Sequence, residues 1–167
     1  VMPKLSCRLY MVVYLCIVMM PLNFPRYAFR FKSTEKKVHI FDEIRKRFFV
    51  LTPEEWVRQH CVQFLIEDLN IPKSYINVEK EVKVNSMSKR YDIISFNKDA
   101  SIHLIVECKA PHIKINQETF DQIARYNLTL NAKYLMVTNG LQHYYCQMNA
   151  DTESYTFLKE LPMYNLD

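Results

Sequence analysis

Apolar side chains recur at helical spacing after residue 52, and the segment opens with Thr52-Pro53-Glu54-Glu55. A threonine can accept a hydrogen bond from the open end of a helix, and proline fits the first helical turn. Glu55 stands where a capping box needs an acid, and both glutamates favour the positive end of the helix dipole. We therefore predict a helix from Thr52 to about Asn70, ended by Ile71-Pro72.

The pattern then changes to strands. Residues Ile76 to Val84 alternate between apolar and polar side chains, as a half-buried strand does. After a polar turn at Asn85 to Lys89, two β-branched and aromatic runs, Tyr91 to Phe96 and Ile102 to Cys108, are joined by residues 97–101 and predict a hairpin. The second run is almost wholly apolar, so we expect it near the centre of the sheet.

A second helix and two more strands complete the pattern. Asn116 can cap a helix over Gln117 to Leu130, and Tyr134 to Thr138 follows as a strand. Asn139-Gly140 predicts a tight hairpin turn into a last strand at Gln142 to Met148. From residue 52 the predicted order is helix, three strands, helix, two strands.

Composition narrows the classes of protein. The chain has 167 residues and one glycine, Gly140, so neither a Walker A loop nor a glycine-rich dinucleotide turn can form from this sequence, and we expect no ATP site. Its five cysteines include no Cys-x-x-Cys pair, which argues against a zinc or redox motif and suits a reducing cytoplasm. At this length we expect a single domain.

The first residues carry an apolar run, Leu9 to Met20, preceded by Lys4 and Arg8. The run resembles part of a signal peptide, but it is short for a membrane span and no small-residue cleavage site follows. Export and membrane anchoring stay as alternatives; we favour an upstream extension with Met19 or Met20 as the working start. We thus expect an extension at 1–19, a domain at 20–150, a tail at 151–167, a cytoplasmic location and no stable membrane association.

Positive charge is concentrated in the first fifty residues. They hold ten Lys or Arg and three Asp or Glu, a net charge of +7, which leaves the rest of the chain with 12 − 15 = −3. This asymmetry suits an anionic partner, and a solvated basic face explains it equally well. Within residues 38–50, two β-rich runs predict a hairpin or an extended arm that exposes Arg45, Lys46 and Arg47.

Three side chains in the strand pattern form a candidate site. Glu107 and Lys109 lie two positions apart on a strand, so both leave the same face, while Cys108 offers its backbone carbonyl. Asp92 on the neighbouring strand can complete the cluster. Carboxylates are ligands that Mg²⁺ takes, and a lysine can orient or deprotonate a water that attacks a phosphodiester. A structural ion pair between Glu107 and Lys109 is the alternative interpretation.

The Glu-x-Lys pattern alone is weak, because it occurs at Glu35/Lys37, Glu81/Lys83 and Glu107/Lys109. Only the third pair ends a long apolar strand that follows another strand bearing an acid, where buried charges are costly without a function. On the following helix, Gln122 and Tyr126 share one face with Arg125 alongside. They could reach the cluster or serve as ordinary polar helix positions.

Taken together, three segments resemble the nuclease domain at the amino end of type I restriction enzyme R subunits (HsdR): Arg90-Tyr91-Asp92, Val106 to Pro111 and Phe120 to Asn127. Leu51 to His60 is similar to the first helix of the same family, and the resemblance covers about residues 20–149. Tyr91 stands where the motif name PD-(D/E)XK has proline. The ATP-driven motor of the R subunit has no counterpart in this sequence.

The resemblance implies an α/β fold with a restriction-endonuclease-like core, in which helices flank a mixed central β-sheet. It implies a PD-(D/E)XK site of the RecB-like Gln-x-x-x-Tyr subgroup. That assignment adds Gln122 and Tyr126 to the catalytic set of Asp92, Glu107 and Lys109. The metal ligands would be Asp92, Glu107 and the Cys108 carbonyl, with Glu55 as an optional further acid.

The implied activity is Mg²⁺-dependent hydrolysis of DNA phosphodiester bonds, with Mn²⁺ as a substitute metal. We expect contacts to the DNA backbone from Arg45, Lys46, Arg47 and Arg125. Specificity or motor subunits of a restriction system are the expected protein partners. The competing hypothesis is a DNA-binding or assembly module with this fold that does not turn over without partners. RNA stays open as an alternative substrate.

Overall fold

The computed structural model describes residues 18–34, 37–84, 87–128, 130–149 and 151–165. Most of the apolar run at Leu9 to Met20, and Glu35 of the first Glu-x-Lys pair, lie outside these residues. The described strands form one sheet of three strands and one of six. No helix among the described residues is long and apolar enough to cross a lipid bilayer.

The smaller sheet confirms the hairpin predicted in residues 38–50 and adds a strand to it. Strands β1 (Phe31–Ser33), β2 (Val38–Asp42) and β3 (Arg47–Val50) are antiparallel, in the order β1-β2-β3. Alternate residues of β2 are buried, as a strand with one covered face requires. The covered face packs against Trp56, which follows shortly in the chain.

Helix α1 (Pro53–Gln63) begins where the sequence predicts. The Thr52 side chain accepts a hydrogen bond of 3.0 Å from the Glu55 amide, with Pro53 in the first turn. The Glu55 carboxylate, however, turns towards arginine side chains. The helix continues as a π-helical stretch, Phe64–Asp68, so the helical segment ends close to the predicted Asn70.

The larger sheet has the order β4-β5-β6-β7-β8-β9. Its neighbours are antiparallel except β6 and β7, which are parallel and joined through helix α2 (Gln117–Leu128). A mixed sheet with helices confirms the expected α/β class. The strands are β4 (Ile76–Val84), β5 (Met87–Phe96), β6 (Ile102–Cys108), β7 (Tyr134–Thr138), β8 (His143–Asn149) and β9 (Ser154–Leu158).

The core lies in two layers on either side of this sheet. One layer packs against α1 and the other against α2, and β6 supplies buried residues to both, which fits its predicted central place. On the α1 side lie, among others, Val57, Cys61, Ile93, Val106 and Cys108. On the α2 side lie, among others, Tyr91, Ile94, Ile105, Phe120 and Ala124.

Several local details differ from the sequence-based expectations. Part of the turn expected at Asn85 to Lys89 is strand, because β5 pairs with β4 from Met87 onward, and Asn85 lies outside the described residues. The chain end expected as a tail carries β9, which pairs with β8, and Leu161 is buried against the α1-side core. Val18, which we placed in the extension, is buried with Trp56, and the Trp56 ring donates a 3.0 Å hydrogen bond to the Met20 carbonyl.

Candidate active site

Asp92 lies where two central strands separate. The last paired residues of β5 and β6 at this end are Ile93 and Val106, although β6 continues to Cys108. The Asp92 carboxylate accepts a 2.7 Å hydrogen bond from the Cys108 amide, in the place where a backbone carbonyl would continue the ladder. We call this place the fork. It holds the Asp92 carboxylate beside the Glu107-Cys108-Lys109 segment.

Arg58 connects the fork to helix α1. Its guanidinium donates to Asp92 Oδ1 at 2.7 Å, to Glu55 Oε2 at 2.5 Å and to Glu54 Oε1 at 3.0 Å. A fourth carboxylate, that of Glu79 on β4, lies 3.3 Å away. Only 7% of the Arg58 side chain is exposed. Such a buried cation is tolerated because several acids surround it.

The backbone of β4 adapts to this arrangement. Glu79 lies between the paired residues Val78 and Lys80, and its φ angle is +54°. A residue with a side chain rarely adopts this left-handed conformation, which costs about 1–3 kcal/mol. The Glu79 carboxylate lies near both Arg58 and Arg90, so ion pairing accompanies the strained conformation.

The carboxylates hold Arg58 in its charged form. Burial acts to lower the pKa of Arg58, but the negative charges of Asp92 and Glu55 outweigh it and raise the pKa above its ordinary value. Burial also raises the pKa of the Cys108 thiol, whose sulfur lies 3.8 Å from that of Cys61. The Cys108 thiol therefore stays neutral at ordinary pH and supplies no charge to the site.

A second buried ion-pair group joins the small sheet to the same helix. Asp42, at the end of β2, is fully buried and accepts from Arg45 Nε and from Gln59 Nε2, each at 2.7 Å. The Arg45 guanidinium also pairs with Glu55, and Gln59 donates to Glu55 at 2.8 Å. Glu55 is thus shared between Arg45 and Arg58. We call the connected set from Asp42 to Asp92 the α1 network.

Glu107 is buried on the adjacent strand. Its neighbours Val106 and Cys108 pack on the α1 side, so the alternation of a strand directs Glu107 towards the α2 side. Burial, together with the negative charge of Glu107, raises the pKa of Tyr91 to about 12. Lys109 follows the end of β6, is half-buried, and donates its amide to the Thr138 carbonyl at 2.8 Å. Glu107 and Lys109 therefore flank the residue whose amide binds Asp92.

The other expected site residues are not gathered at the fork. Gln122 is exposed on α2, and exposed Arg125 donates to the Asp121 carbonyl at 3.3 Å. The side chain of Tyr126 lies outside the described part of the chain. Glu55, the optional acid, belongs to the α1 network and shares Arg58 with Asp92.

The basic triplet of residues 45–47 divides in the structure. Arg45 is half-buried in its ion pairs, and its guanidinium lies 3.3 Å from the centre of the Phe49 ring. Lys46 and Arg47 are exposed, with Lys46 at a φ of +56° in the turn between β2 and β3. The predicted exposure is therefore confirmed for Lys46 and Arg47 but not for Arg45.

Sequence reasoning missed Arg58 and Glu79. The spacing of Arg58 from Glu54 and Glu55 does predict pairing along one helix. Its bond to Asp92 joins residues 34 positions apart, and no local pattern indicates that contact. Glu79 looked like the polar side of an ordinary alternating strand.

A mixed six-stranded sheet, helices packed on its two faces, and a carboxylate at the fork between two central strands are compatible with a nuclease-like core. Residues 53–162 match the family model for the type I restriction enzyme R protein N terminus, and the chain belongs to this family. No curated protein matches the chain.

Proposed function

We propose that this chain is a Mg²⁺-dependent DNA endonuclease module of the PD-(D/E)XK type, which hydrolyses phosphodiester bonds. The observation that carries the proposal is the 2.7 Å hydrogen bond from the Cys108 amide to Asp92 Oδ2. It joins the first acid of the motif to the Glu-x-Lys segment, in a chain of the R-protein family. Asp92, Glu107 and Lys109 are the proposed catalytic residues, with Gln122 and Tyr126 in supporting roles.

The donor chemistry of the fork fits the proposed metal. Mg²⁺ prefers oxygen ligands and is often held by one or two carboxylates, with waters and substrate phosphate completing its shell. Asp92, paired with Arg58 on the α1 side, and Glu107, directed towards the α2 side, would have to supply such oxygens from the two sides of the end of β6, with the Cys108 carbonyl and optionally Glu55. Among the described residues no group of three His, Cys, Asp or Glu side chains converges as a metal site. Water and phosphate oxygens would therefore have to make up much of the coordination.

Arg58 sets a condition on that binding. It donates to both Asp92 and Glu55, so each of these carboxylates already has a cation as a partner. When bound, Mg²⁺ would supply charge neutralisation at the reacting phosphate and a more acidic water. We propose that Asp92 keeps its bond to the Cys108 amide while Arg58 gives up part of its hold on the Asp92 carboxylate.

The lysine would act on the water. The Lys109 ammonium group can orient the attacking water or stabilise the charge that develops on the phosphate oxygens, as a positioned donor does. Exposed Lys46, Arg47 and Arg125 would contact the DNA backbone outside the reacting centre. Specificity or motor subunits of a restriction system are the proposed partners, because no sequence-reading element is evident in the residues described.

The test is a nicking assay with supercoiled, linear and single-stranded DNA in Mg²⁺ or Mn²⁺. We expect metal-dependent cleavage by the unchanged chain and a loss of about 10²-fold or more in Lys109→Ala, because the charged group next to the water is gone. Lys114→Ala is the matched control, since Lys114 is an exposed lysine five positions further on. It should cleave as the parent does.

Two results would count against the proposal. Cleavage that persists in a metal chelator would exclude the metal from the mechanism, and cleavage that Lys109→Ala leaves unchanged would exclude Lys109. Binding of DNA without cleavage would instead support the non-catalytic or partner-dependent module. The ion pairs of Arg58 with Asp92 and Glu55 favour this non-catalytic or partner-dependent module. Addition of R-system partners to the same assay separates an inactive module from one that needs partners.

A further inference from the structure

The small sheet has an open face that the nuclease proposal does not use. The inner face of β1–β3, which carries Ile40, packs against Leu51 and Trp56. We call the opposite face the outer face, and no buried apolar group of the described residues is packed against it. Phe48 lies on this outer face with 40% of its surface exposed. A single exposed apolar side chain is common on a protein surface, so the residues around Phe48 decide what this face can bind.

The strand register determines the composition of the outer face. Phe41 pairs with Phe48, and Lys32 pairs with His39, so these four side chains share one face. The rings of Phe41 and Phe48 lie 5.1 Å apart, edge to face. Arg30 places its guanidinium 3.7 Å above the centre of the Phe41 ring. Aromatic rings and cations are therefore interleaved on a surface three strands wide.

The cations of this face are available to a partner. Arg30 and Lys32 are both exposed, and neither forms an ion pair within the described residues. Their surroundings are unlike those of Arg45, which lies in the same small sheet but pairs with Asp42 and Glu55. The outer face is therefore positive and apolar at once.

We propose that the outer face of β1–β3 binds single-stranded nucleic acid, with a base stacked on Phe48 and backbone phosphates at Arg30 and Lys32. Proteins that hold single strands combine these elements, a positive surface and aromatic rings on which bases stack. A duplex keeps its base faces covered by stacking, so it can use the cations but not the rings. This binding does not depend on the proposed hydrolysis.

Self-association is the competing use of an exposed apolar face. Two copies joined through this surface would bring Arg30 and Lys32 of each copy close to those of the other, and like charges oppose such a contact. A polyanion with exposed aromatic bases matches both the charge and the rings. The charge complementarity therefore favours nucleic acid over a second copy.

The test measures binding of the full chain, in a metal chelator to prevent cleavage, to fluorescent oligothymidylate and oligouridylate of about twenty nucleotides and to a duplex of equal length. Phe48→Leu keeps an apolar side chain but removes the aromatic face. We expect it to weaken single-strand binding about tenfold and to leave duplex binding nearly unchanged. Comparison of the two oligonucleotides tells whether DNA or RNA is preferred.

Phe157→Leu is the matched control, because Phe157 is 48% exposed but lies on the edge strand of the large sheet. It should bind as the parent does. Phe48→Trp reports stacking directly, because oligothymidylate should quench the fluorescence of the new tryptophan. The fluorescence of Phe157→Trp should not change when the oligonucleotide is added. Lys32→Ala should lower the slope of log affinity against log salt by about 0.7, the value for one single-strand phosphate contact.

Three outcomes would overturn the proposal. The first is equal single-strand affinity for the parent and Phe48→Leu. The second is an equal loss in Phe48→Leu and Phe157→Leu, which would make the effect unspecific. The third is a dimer, seen by sedimentation, that Phe48→Leu dissociates while oligonucleotide binding stays unchanged, which would assign the surface to self-association.

Discussion

The two sides of the small sheet use their cations in opposite ways. At one end of the inner side, half-buried Arg45 pairs with Asp42 and Glu55, and buried Arg58 shares Glu55 with it. On the outer face, Arg30 and Lys32 are exposed and lie beside aromatic rings. The net charge of +7 in the first fifty residues counts Arg45 in the same way as Arg30 and Lys32. Only the second kind is free to bind an anionic partner.

The comparison therefore separates charges that stabilise the fold from charges that can bind a ligand. Ion pairs in the α1 network connect the small sheet, α1 and the fork, so their loss should appear first in the free energy of unfolding. Loss of the exposed cations should appear in binding and in its dependence on salt. A variant that loses stability therefore identifies a charge that holds the fold together, and one that loses only binding identifies a charge that contacts the ligand.

The largest effect is expected for Arg58→Met. The variant keeps much of the side-chain volume but leaves Glu55 and Asp92 without their shared cation, which should lower the free energy of unfolding by about 3–5 kcal/mol. Urea denaturation followed by Trp56 fluorescence measures the change. The exposed Arg125, changed to Met, is the control and should shift stability by about 0.5 kcal/mol or less. Equal values for the two variants would contradict a stabilising role for the α1 network.

A smaller loss is expected for Arg45→Ala. The fully buried Asp42 would keep Gln59 and two amides as donors but lose its charged partner, so we expect a loss of about 2–3 kcal/mol, below the range for Arg58. The same denaturation experiment measures it. If Arg45→Ala instead weakens DNA binding without destabilising the chain, Arg45 belongs to the binding surface as the sequence first indicated.

A second way to bury an ionisable group is to keep it neutral, as at His103. Burial lowers the pKa of His103 to about 4, with the charge of Lys133 adding to the effect. The unfolded chain has the ordinary value near 6.5, so between these pH values it binds more protons than the folded chain does. Stability is therefore expected to fall as pH drops from about 6.5 to 4, by about 2 kcal/mol after solvent screening is allowed for.

Denaturation at a series of pH values measures this dependence. His103→Phe keeps the ring contacts to Tyr134 and Tyr164 but cannot take up a proton, so its stability should be flatter over the same range. The exposed His112, changed to Phe, should leave the dependence as it is. A parent chain whose stability rises on acidification through this range would show that His103 is protonated in the fold.

The smallest effect on stability is expected for Arg47→Ala. Arg47 is exposed and lies 4.7 Å above the Phe49 ring, so we expect a stability change within about 0.5 kcal/mol. If it contacts a duplex phosphate, the slope of log affinity against log salt should fall by about 0.9. A large loss of stability would place Arg47 with Arg45 in the buried group.

Much of the fold follows from local patterns. The Thr52 cap, the alternation of Ile76 to Val84 and the apolar run of β6 each predict the element that the structure shows. Strand β9 was missed because Ser154–Leu158 is only five residues long and has no buried position, and pairing with β8 stabilises it as an edge.

The candidate site was predictable only in part. The positions of Asp92 and Glu107 on adjacent strands followed from the hairpin between β5 and β6. The fork, the left-handed backbone at Glu79 and the bond of Arg58 to Asp92 depend on how α1 packs on the sheet. Such long-range contacts leave no periodic pattern in a sequence. The triplet at 45–47 looked uniform for the same reason, since Asp42 and Glu55 select Arg45 alone.

The central proposal is that Asp92 and Glu107 share one divalent cation. Mn²⁺ binding tests it most directly, because the electron-paramagnetic signal of free Mn²⁺ is lost when the ion binds. We predict binding by the parent chain and a loss of affinity of about tenfold or more in both Asp92→Asn and Glu107→Gln, since each removes a charged ligand. Glu118→Gln, an exposed change on α2, should bind as the parent does. Parental Mn²⁺ affinity in both Asp92→Asn and Glu107→Gln would contradict the account.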